Sequence, residues 1–332
     1  MPWRMPAEWE PHEATWLAWP HEKTDWPGKF TPIPWVYGEI VRKLSQVEIV
    51  RILADPERIT PARRVLEKCG ANLNAVEFVE CPTDRSWTRD YCPTFVKNEA
   101  GAIAACGWRF NAWAKYSNYT RDCAAPACIA QRLGVELLQP GFVLEGGGIE
   151  VNGAGALLTT EEWLLSDTQV RNPGFTRERY EELFREWLGV TDTVWLKNGI
   201  VGDDTHGHID DLARFTGPST VVIAVEDDPL EANYFPLREN LEILRARQDL
   251  KVVELPMPRP LYFDGQRLPA SYANFYIANS LVLVPTFNDP ADREALRTLA
   301  KLFPDREVCG IHAIDLVLGL GTLHCLTQHQ PA

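Results

Sequence analysis

The sequence predicts an α/β protein built from repeated units that surround a common centre. Pairs of apolar segments joined by turn residues recur roughly every sixty residues, and helical segments lie between them. No low-complexity stretch or linker interrupts this rhythm, so we expect a single domain over residues 1–332. A polar residue in an apolar setting precedes each pair, which favours a radial arrangement over an open parallel sheet.

The repeated pairs are predicted as β-hairpins because Asn, Gly or Ser lies in the middle of each pair. They cover 93–106, 149–160, 213–225 and 275–287. Apolar residues at helical spacing predict helices near 36–47, 60–69, 121–133, 176–188, 237–248 and 290–303. In the last helix we expect Asp289 to be the N-cap and Pro290 to lie in the first turn.

The N-terminal segment is rich in tryptophan, since six of the twelve tryptophans lie in the first 35 residues. The motif T-W-L-A-W-P (15–20) predicts a short buried strand that ends at the proline. We expect most of these indole rings to pack in the core, where they bury a large apolar area.

Composition indicates a globular protein and excludes several classes of function. The 332-residue chain is 45% hydrophobic, but it has no run of about 18 apolar residues, so no transmembrane helix is expected. The N-terminus lacks an apolar signal core, so we expect a cytoplasmic protein whose eight cysteines are free thiols. The formal net charge of −13 argues against nucleic acid and membranes as partners and suits a small cationic substrate. The sequence leaves assembly into a homo-oligomer open.

The stretch G-D-D-T-H-G-H-I-D-D-L-A-R-F (202–215) is unusually dense in chemically active groups, with four carboxylates and two imidazoles. In an extended strand, His208 and Asp210 would project on one face, with Asp204 close enough to reach the same space. The stretch fits a metal site of His206, His208 and Asp210, or a solvated acidic turn. We favour a catalytic acid/base pair beside a charged substrate.

A second argument comes from the polar residues that precede each repeated unit, because a radial arrangement brings them into one central pocket. A cysteine with a histidine and carboxylates elsewhere in the chain is a candidate covalent catalyst. Further carboxylates in the same pocket are costly to bury unless a cation joins them, and guanidinium matches carboxylates bidentately. A thiolate would attack its carbon, ammonia would leave, and water would release a urea. These residues are Asp90, Glu145, His208 with Asp210, Asn274 and Cys325.

The same residues lie in motifs that resemble a known family. In chain order the motifs are W-T-R-D, L-E-G-G-G, G-D-D-T-H-G-H-I-D-D, S-Y-A-N-F-Y and G-T-L-H-C-L-T-Q. Together they resemble the agmatine deiminase branch of the Porphyromonas-type peptidyl-arginine deiminase family, over nearly the whole chain. The resemblance implies a five-bladed, pseudo-symmetric α/β propeller, the pentein fold. It also implies that the reaction uses no metal and no organic cofactor.

The resemblance assigns roles to individual residues. It implies that Cys325 is the nucleophile and His208 the general acid/base, with Glu145 orienting His208. Asp90 and Asp210 would hold the guanidinium group. Three further residues fall in substrate-binding positions, namely Asp204, Asn274 and Trp87. For Trp87, packing on the alkyl chain of the substrate and packing in the core stay equally open.

The resemblance also indicates the substrate. Secreted members of the family carry signal peptides and extra domains, whereas this chain starts without a signal and ends seven residues after Cys325. We therefore expect free agmatine as substrate, with N-carbamoylputrescine and ammonia as products. The alternatives are free arginine, another alkylguanidine or peptidyl-arginine. Two classes of function outside guanidine chemistry are disfavoured. A thiol amidotransferase or protease would not explain Asp90 and Asp210, and a non-catalytic binding module would not explain an intact pair of Cys325 and His208.

Three positions depart from the family pattern. Cys92 replaces a glycine in R-D-x-G-P, His206 replaces Asp or Asn, and Trp163 replaces a cysteine. The first two are expected near the pocket, so they put the substrate preference in doubt. We interpret Arg89 and His324, which adjoin key residues, as structural, because the alternation of neighbouring side chains points them away from the pocket.

Overall fold

The computed structural model describes residues 3–332, in which helices and strands alternate along the chain. The helices are α1 (Ile33–Leu44), α2 (Pro56–Cys69), α3 (Thr88–Tyr91), α4 (Ala125–Leu133), α5 (Glu161–Leu165), α6 (Arg177–Leu188), α7 (Tyr234–Arg245) and α8 (Asp292–Leu302). The first nine strands are β1 (His12–Ala18), β2 (Ile49–Ala54), β3 (Val76–Glu80), β4 (Thr94–Lys97), β5 (Ile103–Cys106), β6 (Glu136–Leu138), β7 (Glu150–Val151), β8 (Ala156–Thr160) and β9 (Asp192–Leu196). The others are β10 (Ala213–Gly217), β11 (Thr220–Val225), β12 (Lys251–Pro256), β13 (Tyr262–Phe263), β14 (Gln266–Arg267), β15 (Tyr276–Ile277), β16 (Leu281–Thr286), β17 (Glu307–His312) and β18 (Gln328–Pro331).

One connectivity recurs in four three-stranded sheets. Each consists of an antiparallel pair, a helical crossover and a third strand parallel to the second, as in β4, β5 and β6. The same order holds for β7–β8–β9, β10–β11–β12 and β15–β16–β17. A parallel strand pair requires a long crossover connection, which is usually a helix, whereas the antiparallel pair needs only a short turn.

A fifth sheet completes the pattern by joining the two ends of the chain. β18 pairs antiparallel with β1, β2 lies parallel to β1, and β3 extends the sheet as a fourth strand. Cys325 therefore precedes the first strand of its unit, as Asp90 precedes β4. A two-stranded hairpin of β13 and β14 stands apart from these five sheets.

The predicted hairpins and helices are confirmed, with shifts at their ends. All four predicted hairpins are present as β4–β5, β7–β8, β10–β11 and β15–β16. The predicted N-cap of α8 is wrong, because the helix begins at Asp292 and its N-cap is Ala291. The Asp289 carboxylate instead accepts the N–H of Ala291 (2.9 Å) and binds the guanidinium of Arg259 (2.8 Å).

The amphipathic character of α6 shows how the helices cover the sheets. The Thr176 hydroxyl accepts the N–H of Arg179 at the start, and Gly189 ends the helix in the left-handed conformation. Its buried residues are Tyr180, Leu183, Phe184 and Leu188, which recur at helical spacing. They pack in one hydrophobic cluster with Leu157 of β8 and Trp195 of β9.

The tryptophans of the N-terminal segment divide between core and surface. Trp16, Trp19 and Trp26 are buried, as predicted, whereas Trp35 is exposed on α1. No helix within residues 3–332 is both long enough and apolar enough to cross a membrane.

Candidate active site

Two of the polar residues that precede the repeated units, Asp90 and Cys325, line one cavity of about 910 Å³. The others are buried and do not line it, namely Glu145, His208, Asp210 and Asn274. Asp90 and Cys325 line this cavity together with Trp87 and Asp204. Asp90 lies in the short helix α3, and Cys325 follows a turn just before β18. The sequence prediction that Asp90 and Cys325 share a pocket is therefore confirmed, although the two residues are far apart in the chain.

His208 is held by Glu145 behind the cavity wall. Its Nε2 lies 3.0 Å from Glu145 Oε2, and the guanidinium of Arg171 binds the same carboxylate at 3.0–3.1 Å. Burial opposes the charge on Glu145, but Arg171 and His208 hold its pKa at about 2. Burial also favours a neutral imidazole, yet Asp90 and Glu145 raise the pKa of His208 to about 9. At neutral pH the pair is a carboxylate and an imidazolium.

Gly147 marks the point where the charged groups meet. A Cβ added to it would lie 2.6 Å from His208 Nδ1, 2.9 Å from Asp90 Oδ1 and 3.1 Å from Asp210 Oδ2. His208 Nδ1 and Asp210 Oδ1 find no hydrogen-bond partner among the residues that the structure describes. Buried polar atoms rarely stay unpaired, so both atoms are available to a ligand.

The two aspartates differ in their surroundings and in their acidity. Asp90 Oδ2 accepts the indole N–H of Trp113 (2.8 Å), and Oδ1 accepts the N–H of Gly147 (2.9 Å). Burial, with the charges of Glu145 and Asp210, raises the pKa of Asp90 to about 6 despite the attraction of His208. Burial opposes the charge of Asp210, but contact with His324 and the charges of His208 and Arg214 lower its pKa.

Cys325 is buried against polar partners. The Asn274 amide lies 3.1 Å from its sulfur, and the Cys325 thiol approaches Asp210 Oδ2 at 3.5 Å. Burial, together with the charges of Asp210, Asp211 and Asp90, raises the pKa of Cys325 well above the usual range. In this site without a cationic ligand, Cys325 is a thiol.

Asn274 lies behind the cysteine and not on the cavity surface. Its carbonyl oxygen accepts the Thr322 hydroxyl (2.7 Å) and the N–H of His324 (3.0 Å). Its amide also donates to Asp211. Asn274 therefore fixes the turn that carries Cys325, and its predicted contact with substrate is not visible in this arrangement.

His324 belongs to the site, contrary to its interpretation as purely structural. Its Nδ1 lies 2.7 Å from Asp210 Oδ2, and its Nε2 lies 2.9 Å from Glu8. Glu8 in turn binds the guanidinium groups of Arg89 and Arg214. Burial opposes the charge of Glu8, but these cations hold its pKa well below the usual range. Arg89 points into this buried layer, as predicted.

The wider part of the cavity holds Asp204 and Trp87. Tyr116 donates to one oxygen of Asp204 (2.6 Å), and the ammonium of Lys115 binds the other. Trp87 lines the cavity and also packs on Trp26, with a ring-centroid distance of 5.4 Å. Both interpretations of Trp87 are therefore compatible with its position.

The geometry of the 202–215 stretch differs from the predicted extended strand. His208 is the N-cap of a 3-10 turn over Ile209–Asp211, and both His208 and Asp210 still face Gly147. His206 lies elsewhere, with its Nε2 3.0 Å from the Ser166 hydroxyl. His206, His208 and Asp210 therefore do not converge, and the metal interpretation lacks a ligand set in the described chain.

Three residues of the site were not singled out from the sequence as parts of it. Trp113 reaches Asp90 from a turn in which Ala112, Trp113 and Ala114 all have positive φ, a rare conformation for residues other than glycine. Arg171 and Trp163 both bind Glu145, and Trp163 was noted only as a departure from the family pattern. Cys92 is buried next to α3 and does not line the cavity.

Chemically, the arrangement combines a buried thiol, an imidazolium and two carboxylates around one point. A planar cation between Asp90 and Asp210 would satisfy the unpaired Oδ1 of Asp210 and the charge of Asp90. It would also lower the pKa of Cys325, because its positive charge favours the thiolate.

Comparisons with known proteins agree with this chemistry. Residues 4–331 match the family model for Porphyromonas-type peptidyl-arginine deiminase. The chain is 35% identical to an agmatine deiminase of Stutzerimonas stutzeri, with 99% of this chain and 95% of the relative covered. It is 36% identical to the Pseudomonas putida enzyme at the same coverage.

Solved structures give the same result. The chain superposes on an agmatine deiminase of Enterococcus faecalis with a TM-score of 0.92, at 30% identity, covering 99% of this chain and 96% of that one. A cysteine-to-serine variant of a C. jejuni agmatine deiminase with substrate bound gives a TM-score of 0.92 at 31% identity, with the same coverage. An amidinotransferase from Microseira wollei, at 12% identity and a TM-score of 0.56, shares the fold alone.

Proposed function

Because the chain belongs to the Porphyromonas-type peptidyl-arginine deiminase family, we propose that it hydrolyses agmatine to N-carbamoylputrescine and ammonia. The observation that carries this proposal is the convergence of His208, Asp90 and Asp210 on Gly147, beside the thiol of Cys325. We further propose that residues 1–332 form one catalytic domain. Its five sheets would be the blades of a pseudo-symmetric α/β propeller around this site.

Binding begins with the two aspartates. The guanidinium of agmatine lies over Gly147, where Asp90 and Asp210 each accept N–H bonds from it. Glycine is required here because a Cβ would lie 2.6 Å from His208 Nδ1 and 2.9 Å from Asp90 Oδ1 and would displace the groups that hold the guanidinium. Since both carboxylates are engaged by guanidinium, no step of this mechanism calls for a metal ion.

The substrate itself activates the nucleophile. Burial and the charges of Asp210, Asp211 and Asp90 raise the pKa of Cys325 and keep it protonated in the free site, and the guanidinium charge offsets that of the carboxylates. Cys325 then loses its proton to solvent, and the thiolate attacks the guanidinium carbon. The neutral tetrahedral adduct stays between Asp90 and Asp210.

His208 supplies the proton for the leaving group. It begins as an imidazolium, since Asp90 and Glu145 outweigh burial, and it donates its Nδ1 proton to the departing nitrogen. Ammonia leaves, and an amidino group remains bonded to the sulfur of Cys325. The neutral imidazole then takes a proton from water, which attacks the amidino carbon. Cys325 departs as a thiolate, the added hydroxyl loses its proton to solvent, and N-carbamoylputrescine is released.

The cavity beyond the catalytic groups favours a substrate with a cationic tail. Besides Asp90, four carboxylates line it against two cationic side chains, which would disfavour the α-carboxylate of free arginine. The carboxylates are Glu22, Asp25, Asp204 and Asp264, and the cationic side chains are Arg85 and Lys115. Agmatine carries an ammonium group at the end opposite its guanidinium, and we propose that Asp204 binds that group.

Ammonia release tests the proposal directly. The purified protein is assayed with agmatine, free arginine and a peptide that contains arginine, and the urea product is identified by mass spectrometry. We expect the highest kcat/KM for agmatine and N-carbamoylputrescine as the product. Turnover of arginine or of the peptide with a higher kcat/KM than agmatine would overturn the assignment.

A further inference from the structure

Trp163 is a buried residue that contacts Glu145 and His208 from behind the cavity wall. It lies in α5, is 1% exposed and does not line the cavity. The Thr160 hydroxyl accepts the N–H of Trp163 (3.1 Å) and donates to the carbonyl of Gly207 (2.5 Å). Helix α5 is therefore anchored to the residue directly before His208.

The indole of Trp163 contacts both members of the acid/base pair. Its Nε1 donates to Glu145 Oε2 at 2.7 Å, the oxygen that also lies 3.0 Å from His208 Nε2. The ring stands edge-on to the imidazole, with centroids 5.3 Å apart and an interplanar angle of 83°. Edge-to-face packing of this kind restricts the orientation of both rings.

Gly148 is shaped to the same ring. A Cβ at Gly148 would lie 2.4–2.5 Å from carbon atoms of the Trp163 indole, so only glycine leaves room for it. The cysteine expected from the family pattern is much smaller than an indole and would leave a void here. The tryptophan and the glycine therefore form a matched pair in this chain.

We propose that Trp163 is a positioning residue, which fixes the Glu145 carboxylate and the His208 imidazole so that Nδ1 faces the guanidinium site. The expected effect on kcat rests on the proposed function. The effect of Trp163 on the orientation of the His208 ring does not, because it is independent of the substrate.

The indole N–H also moderates the charge that His208 experiences. The groups around the imidazole are Glu145 at 3.0 Å, Asp90 at 3.8 Å, Asp210 across Gly147, and the Trp163 ring, while Arg171 lies behind Glu145. The hydrogen bond from Trp163 partly offsets the negative charge of Glu145 Oε2. Without that donor, Glu145 would stabilise the imidazolium more strongly, and the pKa of His208 would rise above its value of about 9.

Two variants separate the hydrogen bond from the packing. Trp163→Phe removes the N–H and part of the ring. Replacement of Trp163 by β-(3-benzothienyl)alanine, an isosteric residue with sulfur in place of N–H, removes only the donor. The matched control is Trp195→Phe, because that indole donates to Glu181 (2.9 Å) on α6, and neither residue contacts the site.

For both variants at Trp163 we expect kcat for agmatine to fall about 10-fold, the effect of one hydrogen bond to a charged group. KM should change less than about twofold, because Trp163 does not touch the cavity. An NMR titration of the His208 ring should show a higher pKa than in the unmodified protein. Trp195→Phe should match the wild type in all three measurements.

Each unfavourable result has a distinct meaning. If the wild type releases no ammonia from agmatine, the proposed function fails, and the titration of His208 still tests the role of Trp163. If the isosteric variant keeps the wild-type kcat and the same His208 titration, the positioning role is overturned. That variant stays informative even where Trp163→Phe fails to fold, since it leaves the packing on Gly148 intact.

Discussion

Gly147→Ala probes the guanidinium site with a single methyl group. The backbone at Gly147 does not have positive φ, so alanine adopts it without strain, and only the new Cβ matters. That atom would lie 2.6 Å from His208 Nδ1, 2.9 Å from Asp90 Oδ1 and 3.1 Å from Asp210 Oδ2. These distances are shorter than van der Waals contact, so at least His208 must move.

The neighbours of the new methyl group cannot move freely. Glu145 holds His208, and Asp90 accepts the indole N–H of Trp113. Overpacking of this kind costs about 1–3 kcal/mol of the free energy of unfolding. The loss of activity should be larger, because the methyl group shifts the side chains that hold the guanidinium. A displacement of about 1 Å at a reacting centre costs about 100-fold in rate.

We therefore expect Gly147→Ala to lower kcat/KM for agmatine by at least about 100-fold. Ammonia release gives kcat/KM, and urea denaturation gives the free energy of unfolding. Gly217→Ala is the matched control, because its Cβ would have no neighbour closer than 3.9 Å, and it should behave as wild type. If Gly147→Ala kept kcat/KM within about tenfold of wild type, the placement of the guanidinium over Gly147 would be refuted.

Three further predictions concern the charged groups. Asp90→Asn and Asp210→Asn should each lower kcat/KM for agmatine by about 100-fold or more, since each leaves the buried guanidinium half-neutralised; wild-type kinetics in either variant would contradict this. Burial raises the pKa of Asp90 to about 6, so kcat/KM of the wild type should fall as the pH drops below about 6 and the carboxyl takes up a proton. The kcat/KM of Asp90→Asn should not show this fall. Lys115→Met should lower KM for agmatine but not for n-butylguanidine, because the Lys115 ammonium competes with the distal ammonium of agmatine for Asp204; equal effects on both would refute the competition.

The repeated hairpins could be predicted from sequence because their signals are local. Apolar segments with Asn, Gly or Ser between them define each antiparallel pair. The positions directly before the repeated units then locate Asp90, Glu145 and Cys325. Because the units are equivalent and surround a common centre, these positions lie close together in the fold. The third, parallel strands carry no such local signal, since their partners lie beyond a helix.

The partners of the catalytic groups could not be predicted, because they depend on distant contacts and irregular backbone. The alternation used for His324 holds in strands, but the segment before β18 is a 3-10 helix over Leu316–Gly319 followed by turns. His324 and Cys325 therefore both reach Asp210. In the same way, His208 and Asp210 share a side through a 3-10 turn and not through a strand.

Trp163 is the clearest case in which sequence and structure differ in what they reveal. In the sequence it is a departure from the expected family pattern, and an aromatic residue in a short helix is most simply predicted to pack in the hydrophobic core. In the structure its N–H binds Glu145 and its ring packs on His208. Trp163 therefore forms part of the immediate surroundings of Glu145 and His208.

The central claim is that Cys325 carries the amidino group of agmatine during turnover. Acid quenching during turnover, followed by peptide mass spectrometry, locates the adduct among the eight cysteines of the chain. We predict an adduct with the mass of agmatine less ammonia on Cys325 alone, and neither adduct nor ammonia from Cys325→Ser. An adduct on another cysteine, or substantial ammonia release by Cys325→Ser, would contradict the mechanism.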